Sequence, residues 1–194
     1  YLPKEVDATE RPVCAISPGV LGITGIETGH IIKGIVDNIK PSLVIAIDAL
    51  AYRSMNRVNT SIQLANTGIA PGSGVGNKRM ALTKESLGVP VIAIGIPTVV
   101  DAATMASDVL DLIMDEMMKQ AGQGTEFYNM LKSIDRDEKY QMIIELLEPY
   151  SGNLVVTPKD TDDTIDYLSK LVANGINMAL HENIGPNDVD RFIR

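Results

Sequence analysis

Cysteine is all but missing from this chain of 194 residues; Cys14 stands alone. A single thiol cannot form an internal disulfide, and nothing here points to an oxidising compartment. Histidine is nearly as scarce: His30 and His181 are isolated, with no His-x-x-x-His and no paired Cys/His spacing, which argues against a zinc site. No apolar run approaches the ~20 residues that cross a bilayer, so no membrane partner is expected. Positive charge is in short supply, with 17 Lys and Arg against 25 Asp and Glu and a net charge of −8. Nucleic-acid binding needs clustered basic side chains and is not expected; an acidic enzyme suits a basic protein substrate better. The opening YLPKE is neither a signal peptide nor an initiation site, so the sequence is expected to begin partway through a longer protein. Internal repeats and low-complexity tracts are also lacking.

What is present is an ordinary globular composition, 45% hydrophobic, in a chain long enough for one domain with a sizeable core. Residues 12–17 read as a short buried strand with Cys14 in the core. Thr24 and Glu27 have capping-box spacing, and Ile31, Ile32, Ile35, Val36 and Ile39 then recur on one helical face until Pro41. The run LVIAIDAL at 43–50 follows. Its apolar part reads as a strand buried on both faces and ending near Ile47. Strand, helix, strand in so short a span is a βαβ unit, which implies parallel pairing. Residues 58–64 fit an edge strand, 89–96 a second buried strand and 154–156 a short one. Helices are expected after Asp101, over 126–147 (ending before Pro149) and over 160–180, with Ile165, Leu168, Leu171, Val172 and Ile176 inward. The sum is an α/β three-layer sandwich on a mostly parallel sheet, a single domain over 1–194 with a helical insertion at about 115–147.

Two carboxylates follow apolar strands. Asp48 at a strand end sits where an open α/β sheet binds ligands, and fits a general acid, a general base or a metal ligand. The plainer alternative is a cap on the next turn or a pair with Arg53. Asp101 is a possible secondary carboxylate, since two neighbouring carboxyls can split their pKa values; as a helix N-cap it would be structural, and the residues favour the cap. The loop PGSGVGNKR at 71–79 fails the Walker pattern, because Asn77 follows Gly76, and fails the Rossmann spacing. It reads as a flexible or tightly turned active-site wall, with Gly72, Ser73, Gly74, Asn77 and Lys78 beside a ligand or peptide. Ser73 and Ser54 lack the Gly-x-Ser-x-Gly elbow of a nucleophile, and Cys14 lacks a base. The methionines at 105, 114, 117, 118 and 130 fit core or subunit contacts. Asn59-Thr60-Ser61 is a chance glycosylation match.

Several stretches together resemble the spore germination protease family: PGVLGITGIET at 18–28, VIAIDALA at 44–51 with Arg53 and Ser54, GIAPGSGVGNKR at 68–79, GVPVIAIGIPTVVDA at 88–102, LVVTPK at 154–159 and GINMALH at 175–181. The resemblance implies an endopeptidase that degrades small acid-soluble spore proteins during germination. It also implies a cytoplasmic (spore-core) location, a fold similar to the hydrogenase-maturation peptidases, and a homotetramer made as a self-processed zymogen. No cofactor is implied. The family is regarded as an atypical aspartic type with two essential aspartates, one of which maps onto Asp48. The other lies in a Thr-Pro-Asp-Ala-Leu-Gly-Pro type stretch absent from these residues, so this chain alone is expected to be weak or inactive. The region 122–126 looks shorter than the family's. In this reading Arg53 or Lys78 orients a carboxylate or steadies an oxyanion. Two rivals follow from the same residues. One is an assembly unit that cuts nothing. The other is a metal-dependent maturation peptidase with Asp48, Glu27 and His30 as ligands, against which the lack of ligand spacing counts.

Overall fold

The computed structural model describes residues 11–52, 54–73, 79–151 and 154–188. They fall in two compact units. One spans Gly19–Pro158; the other draws on the two ends of the chain, and its described part is residues 11–18 and 159–188.

The Gly19–Pro158 unit opens with a single turn of helix, α1 (Leu21–Thr24), and then α2 (Thr28–Ile39). The expected capping box does not form. Thr24 turns its hydroxyl to the carbonyls of Val20 and Ile26, and the Glu27 carboxylate accepts the backbone N–H of Met80 instead. Lys40 closes α2 in the left-handed region at φ 52, its N–H returning to the Val36 carbonyl at 2.8 Å, and Pro41 prevents continuation. The strands are β1 (Val44–Tyr52), β2 (Gln63–Ala65), β3 (Val91–Asp101) and β4 (Val155–Val156), with the short helix α3 (Lys84–Leu87) before β3. A true capping box starts α3, where Thr83 and Ser86 exchange side-chain and backbone bonds.

The sheet is open and mixed, not mostly parallel. β3 pairs in parallel with β1 from Val44↔Val91 onward, but β2 and β4 both run antiparallel to it. The expected βαβ unit, with residues 12–17 as its first strand, does not form, because those residues are not a strand; the parallel partner of β1 is β3. Short strands were expected near β2 and β4, but two or three residues carry too little periodicity to fix a direction. Val36, Leu82, Leu87 and Val91 form the core between α2 and this sheet, with Ile32, Val44, Ala46 and Met80 packed on its margin. β3 is buried along most of its length, as its unbroken apolar run predicts. On the opposite face Ile47 and Leu64 are exposed, at 55% and 71%.

Beyond β3 come α4 (Ala102–Ala121), α5 (Glu126–Lys132) and α6 (Arg136–Ser151). Pro149 lies inside the last turn of α6 rather than beyond it, where few helical N–H bonds remain to be lost. α4 and α6 are joined by polar groups as well as by apolar packing. Lys139 is nearly buried; it pairs with Asp111 and donates to the Ser107 carbonyl.

In the other unit residues 11–18 carry no regular structure and Cys14 is exposed, contrary to the buried strand expected there. Apolar character alone does not make a strand; a ladder partner for its N–H and C=O groups is also needed. The helix α7 (Thr161–Leu180) matches its periodicity, with Leu168 buried, although Leu171 is 48% exposed. Among the described residues no helix is long and apolar enough to cross a membrane.

Candidate active site

Asp48 is not at a strand end. β1 continues to Tyr52, because Ala49-Leu50-Ala51-Tyr52 keeps pairing with β3, and Asp48 stands mid-strand opposite Gly95. Side chains alternate across a strand, so Asp48 shares a face with Ala46, Leu50 and Tyr52. Gly95 makes room there. A Cβ on it would meet Leu50 Cδ1 at 2.3 Å, so only glycine lets Leu50 lie over β3 beside the carboxylate. Asp48 is half-buried and accepts one recorded hydrogen bond, from its neighbour Ala49 N–H to Oδ1 at 3.0 Å. Burial pushes its pKa up from the ordinary value, against the Ala49 N–H and the Arg79 guanidinium, which pull it down. The net direction is upward, so desolvation prevails.

Arg79 ends the glycine-rich loop, and the loop is firmly tied at both ends. Ile69 and Leu82 exchange backbone bonds of 3.0 and 2.7 Å across its base. Glu27 holds Met80, and Met80 packs where a side chain on Gly29 would be, 2.7 Å from an ideal Cβ. The first turn of α2 therefore fixes the loop exit, and the loop exit brings a cation within electrostatic reach of Asp48. Of the loop residues predicted to touch a ligand, Gly72 is half-buried with φ 72, and Ser73 is exposed with its N–H on the Ala70 carbonyl at 3.2 Å. Gly74, Asn77, Lys78 and Arg53 lie outside the described residues. Sequence reasoning placed the cation on Arg53 or Lys78 and overlooked Arg79; the signal was its place at the loop exit, next to a residue bound by α2.

Asp101 is placed differently. It N-caps α4, accepting the Thr104 N–H at 2.6 Å and the Thr104 hydroxyl at 2.8 Å, with the Tyr140 hydroxyl 3.4 Å away. The register sets it six β3 residues beyond Gly95, hence roughly 20 Å along the sheet from Asp48. The two carboxyls are not brought together. Glu27 is occupied by Met80, and His30 lines an apolar groove on α2 with Ile26, Ile31 and Ile35. Among the described residues no three His, Cys, Asp or Glu side chains converge on a point that would hold a metal.

The arrangement gives one carboxyl poised to hold or take a proton, in a partly dry setting, beside a cation and an anchored loop. Comparison with known proteins bears on this geometry. A family model described as germination protease matches residues 1–126 and 113–193, the two pieces overlapping over residues 113–126. A germination protease of Clostridium perfringens is 59% identical over 192 residues, covering 99% of this chain and 59% of that protein. One from Clostridium tetani is 58% identical over 193 residues, covering 100% and 60%. One from Bacillus subtilis is 48% identical over 212 aligned positions, covering 94% and 58%. The chain thus spans about three-fifths of the length of these relatives.

Proposed function

The chain belongs to the germination protease family, and on that premise we propose that it carries Asp48 as one carboxylate of an endopeptidase that degrades small acid-soluble spore proteins during germination. The supporting observation is the half-buried Asp48 with its raised pKa, in the motif where the family resemblance puts an essential aspartate. The chemistry is an atypical aspartic-type hydrolysis. An ionised carboxylate takes a proton from water as the water oxygen bonds to the peptide carbonyl carbon. A protonated partner donates to the carbonyl oxygen. Collapse of the tetrahedral intermediate breaks the C–N bond, and a proton passes to the leaving amine. The partner is the aspartate of the Thr-Pro-Asp-Ala-Leu-Gly-Pro type stretch, which these residues do not contain; the chain alone is then weak or inactive. Two facing carboxyls raise each other's affinity for the shared proton, and Asp48 is already shifted in that direction.

Arg79 balances the charge beside the dyad, and the loop with Gly72, Ser73, Gly74, Asn77 and Lys78, together with Arg53, borders the substrate groove. The three-layer, hydrogenase-maturation-like architecture belongs to the same proposal, as do the spore-core location and the self-processed homotetramer. The exposed apolar row Val109, Leu112, Ile113 and Met117 on α4 supports subunit contact. The test is Asp48→Asn in the complete, processed protein. Loss of cleavage of a purified spore-protein substrate by about 10³-fold or more is expected; retained cleavage would sink the catalytic role.

A further inference from the structure

From the clamp between the first turn of α2 and the exit of the glycine-rich loop, we infer that Glu27 is a positioning residue for peptide hydrolysis: it fixes the Arg79–Met80 peptide and so keeps the Arg79 cation beside Asp48. This rests on the protease reading above. Glu27 occupies the N-cap of α2, yet its side chain makes no bond to the N–H groups of its own helix. A carboxylate that served only the helix would turn back onto them. Glu27 instead accepts the N–H of Met80, 53 residues further along the chain. That N–H belongs to the peptide joining Arg79 to Met80. The peptide is planar, so holding its N–H also fixes its carbonyl and the direction from which the Arg79 backbone enters it.

Further contacts keep this amide from drifting. Gly29, buried in α2, leaves the space that Met80 fills. An ideal Cβ on Gly29 would stand 2.7 Å from Met80 Cβ, an atom next to the backbone, so the chain itself and not a flexible tip would have to move. The Ser86 hydroxyl donates to the Ala81 carbonyl at 2.7 Å, and Leu82 is buried in the core with Val36, Leu87 and Val91. The chain from Met80 to Leu82 is therefore anchored, and half-buried Arg79 is the last residue before the anchor. Its charge acts on Asp48 and pulls against burial. Around Asp48, β3 contributes the uncharged Gly95, β1 contributes Tyr52 with Arg57 on its hydroxyl, and Glu27 stands behind Met80. Attraction between charges falls with distance, so a loop exit that slips weakens the hold of Arg79 on Asp48 without altering either side chain.

Steady-state kinetics of the complete protein on a purified spore-protein substrate test this. Glu27→Ala removes the acceptor and should lower kcat by about tenfold, with a smaller change in KM. Both limbs of its pH profile, which report the apparent pKa values of the aspartate pair, should move to higher pH, because a withdrawn cation no longer favours the ionised forms. Glu27→Gln keeps a carbonyl acceptor without the charge; it should lose about threefold and hold the profile near that of the wild type. Arg79→Gln should reproduce the upward move, and adding Glu27→Ala to it should cost less than about twofold more. The role is overturned if Glu27→Ala lowers Tm but leaves the profile in place, if Glu27→Gln is as damaged as Glu27→Ala, or if Glu27→Ala costs its full factor in the Arg79→Gln background. Should Glu27→Ala fail to fold, Gly29→Ala decides in its place: it suits a helix, displaces Met80 with Glu27 intact, and should move the profile the same way. An unmoved profile there overturns the role. Should Asp48→Asn retain cleavage, the catalytic reading falls, and carbon-13 titration of the Asp48 carboxyl, assigned by its loss in Asp48→Asn, still reports on the clamp. An upward move in Glu27→Ala but not in Glu27→Gln supports it; no move in either overturns it.

Discussion

The middle of β1 and the junction of β3 with α4 each hold an aspartate after an apolar strand, yet the two are built for opposite ends. Asp101 is met by the N–H and hydroxyl of Thr104 at 2.6 and 2.8 Å, with Tyr140 behind them. Its lone pairs are committed and its charge favours the helix N-terminus. Asp48 accepts one N–H from its own neighbour, and burial outweighs the nearby arginine. A carboxylate becomes structural when its partners satisfy it. Left partly desolvated and under-satisfied, it keeps a costly charge whose relief can be coupled to chemistry.

The comparison breaks most visibly in activity. Asp48→Asn should remove about 10³-fold or more of cleavage while the protein stays folded. Asp101→Ala should do the reverse. If instead both variants lost activity equally per folded molecule, the contrast between the two aspartates would be wrong.

A change at Gly95 tests how closely the Asp48 setting is built. Gly95→Ala places a methyl 2.3 Å from Leu50 Cδ1. Leu50 must move, at a cost of about 1–3 kcal/mol and a fall in Tm of roughly 3–9 °C. Because Leu50 flanks Asp48, kcat should fall as well. Adding Leu50→Ala should restore part of the lost kcat, read by steady-state kinetics beside a thermal melt.

Asp101→Ala sharpens the structural side. It removes an N-cap and leaves the buried Thr104 hydroxyl without its short acceptor. A loss of about 1–2 kcal/mol is expected, seen as a drop in Tm of roughly 2–6 °C with kcat/KM unchanged per folded molecule.

Much of this contrast was legible in the residues. Asp101 precedes a helical period, and an N-cap was favoured there for that reason. The family motif singled out Asp48. Its setting was harder to read. The strand was expected to stop at Ile47 because the charge looked like a terminus, whereas pairing with β3, Asp48 with Gly95 and Leu50 with Pro97, carries it on to Tyr52. The same kind of error misplaced Glu27. Its spacing from Thr24 satisfied a local rule, but Met80, distant in sequence, offered the better N–H. Local patterns found β1 and β3 as buried strands and helices α2, α4 and α7. They missed the partner of β1, the direction of β2 and β4, the closeness of Arg79 to Asp48 and the absence of a strand at 12–17, all of which depend on partners far along the chain.

The smallest effect isolates the cost of the Asp48 charge. Its pKa is raised in the folded protein above the ordinary 3.8. The folded state therefore binds the proton more tightly than the unfolded chain. At pH values above the folded pKa both states are ionised and the fold bears the full desolvation cost; below 3.8 both are protonated and the cost disappears. Asp48→Asn removes the charge and should raise Tm at pH 7 by about 1–3 °C. The gain should shrink as pH falls through the folded pKa and vanish below the ordinary carboxylate range. Melts of the two proteins from pH 3 to 8 read this directly. A lower Tm for Asp48→Asn at neutral pH would mean that Ala49 and Arg79 hold the ionised carboxylate better than burial penalises it. The two aspartates would then differ in degree and not in kind.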